Sequence, residues 1–223
     1  MFYYFFGGNP DREIVYLPYY SSGAEDQNNP AAAKQVPFFS FMNQNGEIIT
    51  RDSLLGKVYV ADFFFTTCQT ICPLMSQGMQ KLNRAYSNNR RVRFLSHTVM
   101  PEVDSVPVLR AYASRYHARA GKWDFVTGKK QDLYRLARQG YSLAQDEGDG
   151  GEEDFVHTQM LALVDPKGYI RGYYDGTDEA EIQRLIRDCR LLDRQFEYTK
   201  EFVPISIINT AINKLRMHGC LKI

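Results

Sequence analysis

The sequence predicts a layered α/β domain, and three observations carry that expectation. The run Val58–Phe65 is unbroken and rich in β-branched and aromatic residues, as a central strand covered on both faces requires. Helical spacing follows it, and Val92–Val99 then reads as a second strand, completing a βαβ unit. Two further strands around Asp165-Pro-Lys-Gly168 and a last helix close the order. A βαβ unit followed by a β-hairpin and a helix describes a thioredoxin-like fold.

Taken in chain order, residues 7–35 are rich in Tyr, Pro, Ser, Asn and Ala without a period, and read as a tether or an extended arm over the domain. Val36–Asn43 and Glu47–Thr50 flank Asn45-Gly46, a hairpin signal. Gly56-Lys57 leads into Val58–Phe65. Past Pro73, residues Leu74, Met75, Met79, Leu82 and Tyr86 follow helical spacing until Asn88-Asn89. Asp104-Ser105 reads as the cap of a helix carrying Val108, Leu109, Tyr112 and Tyr116. Trp123–Val126 is a short strand, and Gly128 precedes a helix with Leu133, Leu136 and Ala137. The acidic, glycine-rich stretch 145–154 buries nothing and reads as a mobile loop. Met160–Val164 and Tyr169–Tyr174 form the closing hairpin, and Asp178 caps a helix that runs to roughly Leu192. These limits give an arm over 1–35, the α/β domain over 36–195 and a tail over 196–223. In the tail, Ile208, Ala211, Ile212 and Leu215 would form an apolar stripe opposite Asn213, Lys214 and Arg216, packed back on the domain or meeting a partner or lipid surface.

At 223 residues and 44% hydrophobic content the chain can bury a sizeable core. Lys and Arg nearly balance Asp and Glu, and the net charge of +1 argues against a nucleic-acid surface. No central stretch is long and apolar enough to span a bilayer. Met1–Gly8 is apolar but far too short; it reads as the trimmed end of an anchor, or as a disordered or locally packed terminus. Of the four cysteines only Cys68 and Cys72 are close in sequence, so this is not a disulfide scaffold.

Pro73 cannot sit in a helix interior but suits the start of one. Cys68 and Cys72 therefore fall at or just before a helix N-terminus, where free N–H groups and the macrodipole favour thiolate. With Pro73 opening the helix, Cys72 need not be helical, and both sulfurs could converge from a loop. Two thiolates suit a soft ion, above all Cu(I) and also Zn(II), and they leave room for a third ligand. His157, just before the strand Met160–Val164, is the candidate; the alternative is an ordinary hydrogen-bonded histidine at a strand entrance. Asp62, inside the central strand, is either a buried carboxylate that tunes the dithiol or an edge-facing residue. His97 reads as a structural hydrogen-bonding residue, Met75 and Met79 as core, and Cys189 as a small buried residue. His117 and His218 read as surface positions, and Cys220 as an exposed thiol.

Four stretches give these residues a wider context: Phe65-Thr-Thr-Cys68-Gln-Thr-Ile-Cys72-Pro73-Leu-Met75-Ser, Trp123-Asp-Phe-Val-Thr-Gly128, His157-Thr158 and Leu163-Val-Asp-Pro-Lys-Gly-Tyr-Ile-Arg-Gly-Tyr-Tyr-Asp-Gly-Thr177. In that order they resemble the Sco/SenC family of copper-binding assembly factors for cytochrome c oxidase. The resemblance implies a thioredoxin-like fold with an N-terminal β-hairpin and family-type insertions. It implies copper, as Cu(I) and also as Cu(II), held by two cysteines and a histidine that fall on Cys68, Cys72 and His157. It implies as partners the copper-site subunit of cytochrome c oxidase, with other copper chaperones or thiol reductants beside it. Family members are membrane-tethered, here by an anchor expected outside this chain, and face the bacterial periplasm or, alternatively, the mitochondrial intermembrane space. One position departs: where the family reads Asp-Pro-Glu, this chain has Met100-Pro101-Glu102. Met100 either packs near the site or tunes copper through its thioether.

The expected function is that of a metallochaperone rather than an enzyme, delivering Cu(I) to the dinuclear copper site of the oxidase or preparing that site. The rival is a thiol–disulfide reductase in which Cys68 and Cys72 are catalytic and keep the oxidase subunit's cysteines reduced. The roles are compatible, because only the reduced dithiol binds copper. A peroxidase would need an activating Arg beside one dominant thiol, and structural zinc would need a fourth ligand.

Overall fold

The computed structural model describes residues 17–21, 24–26, 33, 35–144, 156 and 158–201. A small antiparallel hairpin, β1 (Tyr19–Ser21) and β2 (Ala24–Asp26), precedes the main sheet. Then come β3 (Ser40–Asn43), β4 (Ile48–Thr50), a short helix α1 (Arg51–Leu54) and β5 (Val58–Phe64). Helix α2 (Ile71–Ala85), β6 (Val92–Thr98), α3 (Val106–Arg115) and β7 (Trp123–Thr127) follow. Helix α4 (Lys130–Arg135) widens into a π-helical turn over Leu136–Gly140. The closing elements are β8 (Met160–Val164), β9 (Ile170–Asp175) and α5 (Glu179–Glu201).

The seven strands β3–β9 form one sheet in the order β4-β3-β7-β6-β5-β8-β9. β5 runs parallel to β6 and β6 to β7, while β8 lies antiparallel beside β5. This is the expected thioredoxin-like arrangement, with β5 inside the sheet between β6 and β8 and all seven of its residues buried. Strand alternation divides those residues between two cores. Val58, Val60 and Phe64 pack with Met75, Met79 and Leu82 of α2, Leu109 of α3, and Ile182 and Leu185 of α5. Tyr59, Ala61 and Phe63 pack on the other face with Leu133 of α4 and with Leu136 and Ala137 of the π-helical turn. Asp62 falls on the α2 side by the same alternation.

The Asn45-Gly46 hairpin forms as expected: Gly46 takes φ 82°, and the Asn43 carboxamide oxygen accepts the N–H groups of Asn45 and Glu47, each at 2.9 Å. Its first strand starts at Ser40 rather than Val36, although Val36 and Phe39 are still buried. Two other expectations are corrected. Asp104-Ser105 supplies no side-chain cap to α3; Asp104 is wholly buried and engaged elsewhere. Helix α5 runs to Glu201, well past Leu192. Its start is as read, with Asp178 accepting the Ala180 N–H at 2.7 Å. The stretch 145–154, Met1–Gly8, the stripe at 208–215, His218 and Cys220 lie outside the described residues. Among the described residues no helix is long and apolar enough to cross a membrane.

Part of the 1–35 segment is tied to the domain. Buried Arg171 of β9 donates to the carbonyls of Leu17 and Pro18, pairs with Asp165 at 3.1 Å, and stacks over Tyr19. Tyr20 meets Tyr173 edge-on at 5.1 Å.

Helix α2 crosses close to α5 at Gly78, where an added Cβ would lie 2.7 Å from Ile182 Cδ1 and 2.9 Å from the Gly176 carbonyl oxygen. Gly78→Ala should destabilise the domain by about 1–2 kcal/mol, overpacking outweighing the better helix propensity. A lowered urea midpoint at unchanged slope checks this; a raised midpoint would show that the helices slide apart without cost.

Candidate metal centre

β5 ends at Phe64, and a short turn carries the chain into α2. The helix begins at Ile71, two residues before Pro73, so Cys72 lies within its first turn; this corrects the expectation that Pro73 opens the helix. The physical reason is that the first N–H groups of a helix have no intrahelical acceptor, so a proline in that turn removes no bond. Cys68 stays outside the helix and is half-buried, whereas Cys72 is only 3% exposed. Neither is in a disulfide.

No side chain caps α2 in the usual way. The Cys68 sulfur lies beside this open end, 3.7 Å from Thr70 Oγ1, and the backbone N–H groups of Cys72 and Thr70 favour its thiolate. Burial alone would raise the Cys68 thiol; these donors outweigh it and bring the pKa down to about 7. For Cys72 burial dominates and pushes the pKa up to about 12, with the Cys68 sulfur and the charge of Asp62 acting in the same direction. The two thiols thus hold their protons very differently.

Asp62 is 1% exposed and stands behind this pair. Its strand lies between β6 and β8, so it is a buried carboxylate and not an edge residue. Burial raises its pKa to about 7 against the opposing hydrogen bond from Ser96, and its Oδ1 has no partner. On the other face of the sheet His97 is fully buried, bonded through Nδ1 to the Asp62 carbonyl at 3.1 Å and stacked on Phe63. Burial lowers its pKa to about 4, so it is a neutral core residue as the sequence suggested. Met75, Met79 and Cys189 are core residues too, and His117 is exposed.

A residue that sequence reasoning misassigned holds the site together. The Asp104 carboxylate accepts the Thr66 N–H at 3.3 Å, the Thr66 hydroxyl and the Thr98 hydroxyl, joining the ends of β5 and β6. Thr98 Oγ1 in turn accepts the Met100 N–H at 2.9 Å. Half-buried Met100 packs on the core, and the Thr67 hydroxyl reaches its sulfur at 4.0 Å, next to Cys68.

His157 lies outside the described residues, and among the described residues no third His, Cys, Asp or Glu joins the two thiols. The flanking chain is informative. β8 runs antiparallel to β5, pairing Ala61 with Ala162 and Tyr59 with Val164, so the chain enters β8 at the end of β5 that bears the dithiol.

Two measurements test these electrostatics. Alkylation of the reduced protein should modify Cys68 first, with a rate that rises through a pKa of about 7, while Cys72 stays unreactive below pH 9 or so; equal rates would refute the assigned hydrogen bonds. Asp62 binds its proton more tightly folded than unfolded, so its contribution to stability is lost as pH rises from about 4 to about 7. Asp62→Asn should therefore match the parent protein near pH 4 and exceed it above pH 7 by up to ~4 kcal/mol. Urea midpoints at the two pH values decide, and a gap independent of pH contradicts the account.

Residues 27–190 of the chain match the SCO1/SenC family. A SCO1 protein homolog of Bacillus subtilis (strain 168) is 31% identical over 179 residues, 79% of this chain and 92% of that protein. The crystal structure of a SCO1/SenC family lipoprotein from Bacillus anthracis str. Ames shares the fold at a TM-score of 0.63 and 30% identity, covering 71% of this chain and 95% of the other. BsSco is a member of the Sco family of cytochrome c oxidase assembly proteins in which a disulfide switch was identified. It gives a TM-score of 0.61 at 31% identity, over 72% of this chain and 94% of its own. With the dithiol at the head of α2 inside the matched span, the chain belongs to the SCO1/SenC family.

Proposed function

We propose that this protein is a copper chaperone for cytochrome c oxidase assembly, with Cys68 and Cys72 as thiolate ligands of Cu(I) and His157 as the third. The observation that carries this reading is the pair of free cysteines at the start of α2, Cys68 in the turn before it and Cys72 in its first turn, a soft donor set suited to one ion. A ScoI of Bradyrhizobium japonicum, solved with copper bound, shares the fold at 20% identity and a TM-score of 0.57; that likeness supports the fold, and the donor chemistry supports the metal. For His157, support comes from the direction of β8, whose entering chain arrives at the dithiol end of the sheet.

Copper is the cargo in this reading. Cys68 is close to half thiolate at neutral pH, and Cys72 surrenders a proton as the ion binds, so affinity rises with pH. Cys68, the more exposed sulfur, is the one a partner's thiolate reaches first during transfer. The partner proposed is the copper-site subunit of the oxidase. The domain acts tethered to a membrane, a reading supported by the Bacillus anthracis relative being a lipoprotein, and the compartment proposed is the bacterial periplasm. The segments 1–35 and 196–223 are then arm and tail to a working domain over 36–195.

A thiol–disulfide exchange role is favoured by the same asymmetry, since a thiol with a pKa of about 7 attacks well and a buried protonated one resolves. Titration of reduced protein against a chromophoric Cu(I) chelator separates the two. One Cu(I) per chain is expected, about tenfold tighter per pH unit, and at least tenfold weaker in His157→Ala with the fold unchanged. No competitive binding would remove the chaperone reading and leave exchange chemistry, and an unaltered His157→Ala would remove His157 from the site.

A further inference from the structure

Two thiolates leave a soft ion room for a further donor, and one more sulfur stands at this end of the sheet. The Cys68 N–H donates to the Phe65 carbonyl at 3.3 Å, closing a tight turn over residues 65–68. Both central residues of that turn are tied to the chain that leaves β6. The Asp104 carboxylate holds Thr66, and the Thr67 hydroxyl reaches the Met100 sulfur at 4.0 Å. Met100 is itself fixed along its backbone. Its N–H donates to Thr98 Oγ1 at 2.9 Å, and its carbonyl accepts the N–H groups of Val103 and Asp104 at 3.0 and 2.9 Å. The thioether and the turn that carries Cys68 are therefore set against each other by one network centred on Asp104.

The place of this sulfur sets Met100 apart from the other methionines near the dithiol. Met75 and Met79 of α2 are wholly buried in the core. Met100 is half-buried, with its sulfur within reach of an exposed residue one position before Cys68. A thioether is a weak hydrogen-bond acceptor, and a hydroxyl as far away as 4.0 Å is readily exchanged for a metal ion. The sulfur is soft and has no proton to lose, and its unbranched side chain can swing onto a neighbouring ion while the backbone stays pinned.

We propose that Met100 is a thioether ligand of Cu(I), joining the ion that Cys68 and Cys72 hold. This role rests on the copper reading of the dithiol, and it needs no residue outside the described ones. A third sulfur makes the donor set softer and so favours Cu(I). Being neutral, it adds no charge to the two thiolates.

Copper K-edge absorption of the reduced, Cu(I)-loaded, full-length protein tests it, with selenomethionine supplied in place of methionine. A selenium neighbour of copper is expected. It should vanish in Met100→Leu, a swap that nearly conserves side-chain volume. In titration against a chromophoric Cu(I) chelator, the selenium-labelled protein should match the parent, and Met100→Leu should bind about tenfold more weakly. Thr67→Val removes the hydroxyl contact and keeps the thioether, so its Cu(I) affinity should equal that of the parent. A copper shell without selenium, or one whose selenium persists in Met100→Leu, would overturn the proposal and leave Cu(I) binding by the dithiol in place. So would an unweakened Met100→Leu, or a Thr67→Val variant as weak as Met100→Leu. A parent protein that takes no Cu(I) from the chelator would overturn the copper reading, and the thioether ligand with it.

Discussion

Strand β5 is buried along its whole length, so the chain first approaches solvent at the strand's C-terminal end, and Asp104 governs how it does so. One buried carboxylate gathers the Thr66 backbone N–H and two threonine hydroxyls from the ends of two parallel strands. Such a charge is tolerated out of water only because donors surround it. With Thr66 fixed, few residues remain before α2 begins at Ile71, and Cys68 falls in the turn just before the helix's first N–H groups. The placement of the dithiol is therefore a consequence of how the two strands are fastened.

From that placement follows the inequality of the two sulfurs. Cys68 meets donors and partial solvent, Cys72 meets the core and the field of a buried carboxylate. An arrangement of this kind holds one thiolate ready and one proton in reserve. In the proposed function, metal capture and disulfide exchange would draw on the same reserve, and oxidation of the pair would exclude the metal.

Much of this was legible in the sequence where the signal is local. The apolar run of β5, the Asn45-Gly46 turn, the Asp178 cap and the two cysteines each lie within a few residues of what they specify. Asp104 was misread for the opposite reason. An Asp before a helix is a good cap by local rules, while its actual partner Thr66 is 38 residues away in the chain. The start of α2 was placed late because Pro73 marks a first turn without saying which position of that turn it fills. Arg171 gave no warning of its grip on Leu17 and Pro18, more than 150 residues earlier.

The grip of Arg171 has a mechanical side. β9 forms one edge of the sheet, and the chain arriving from the N-terminal side passes over it. Any tension on that side is met first by the guanidinium bonds to Leu17 and Pro18, then by the bridge between Gln35 and Tyr169. β8 separates β9 from β5, so several bonds must part before a pull is felt where the cysteines sit. The edge works as strain relief on a cable: the N-terminal side can be jostled while the far end of β5 keeps its geometry.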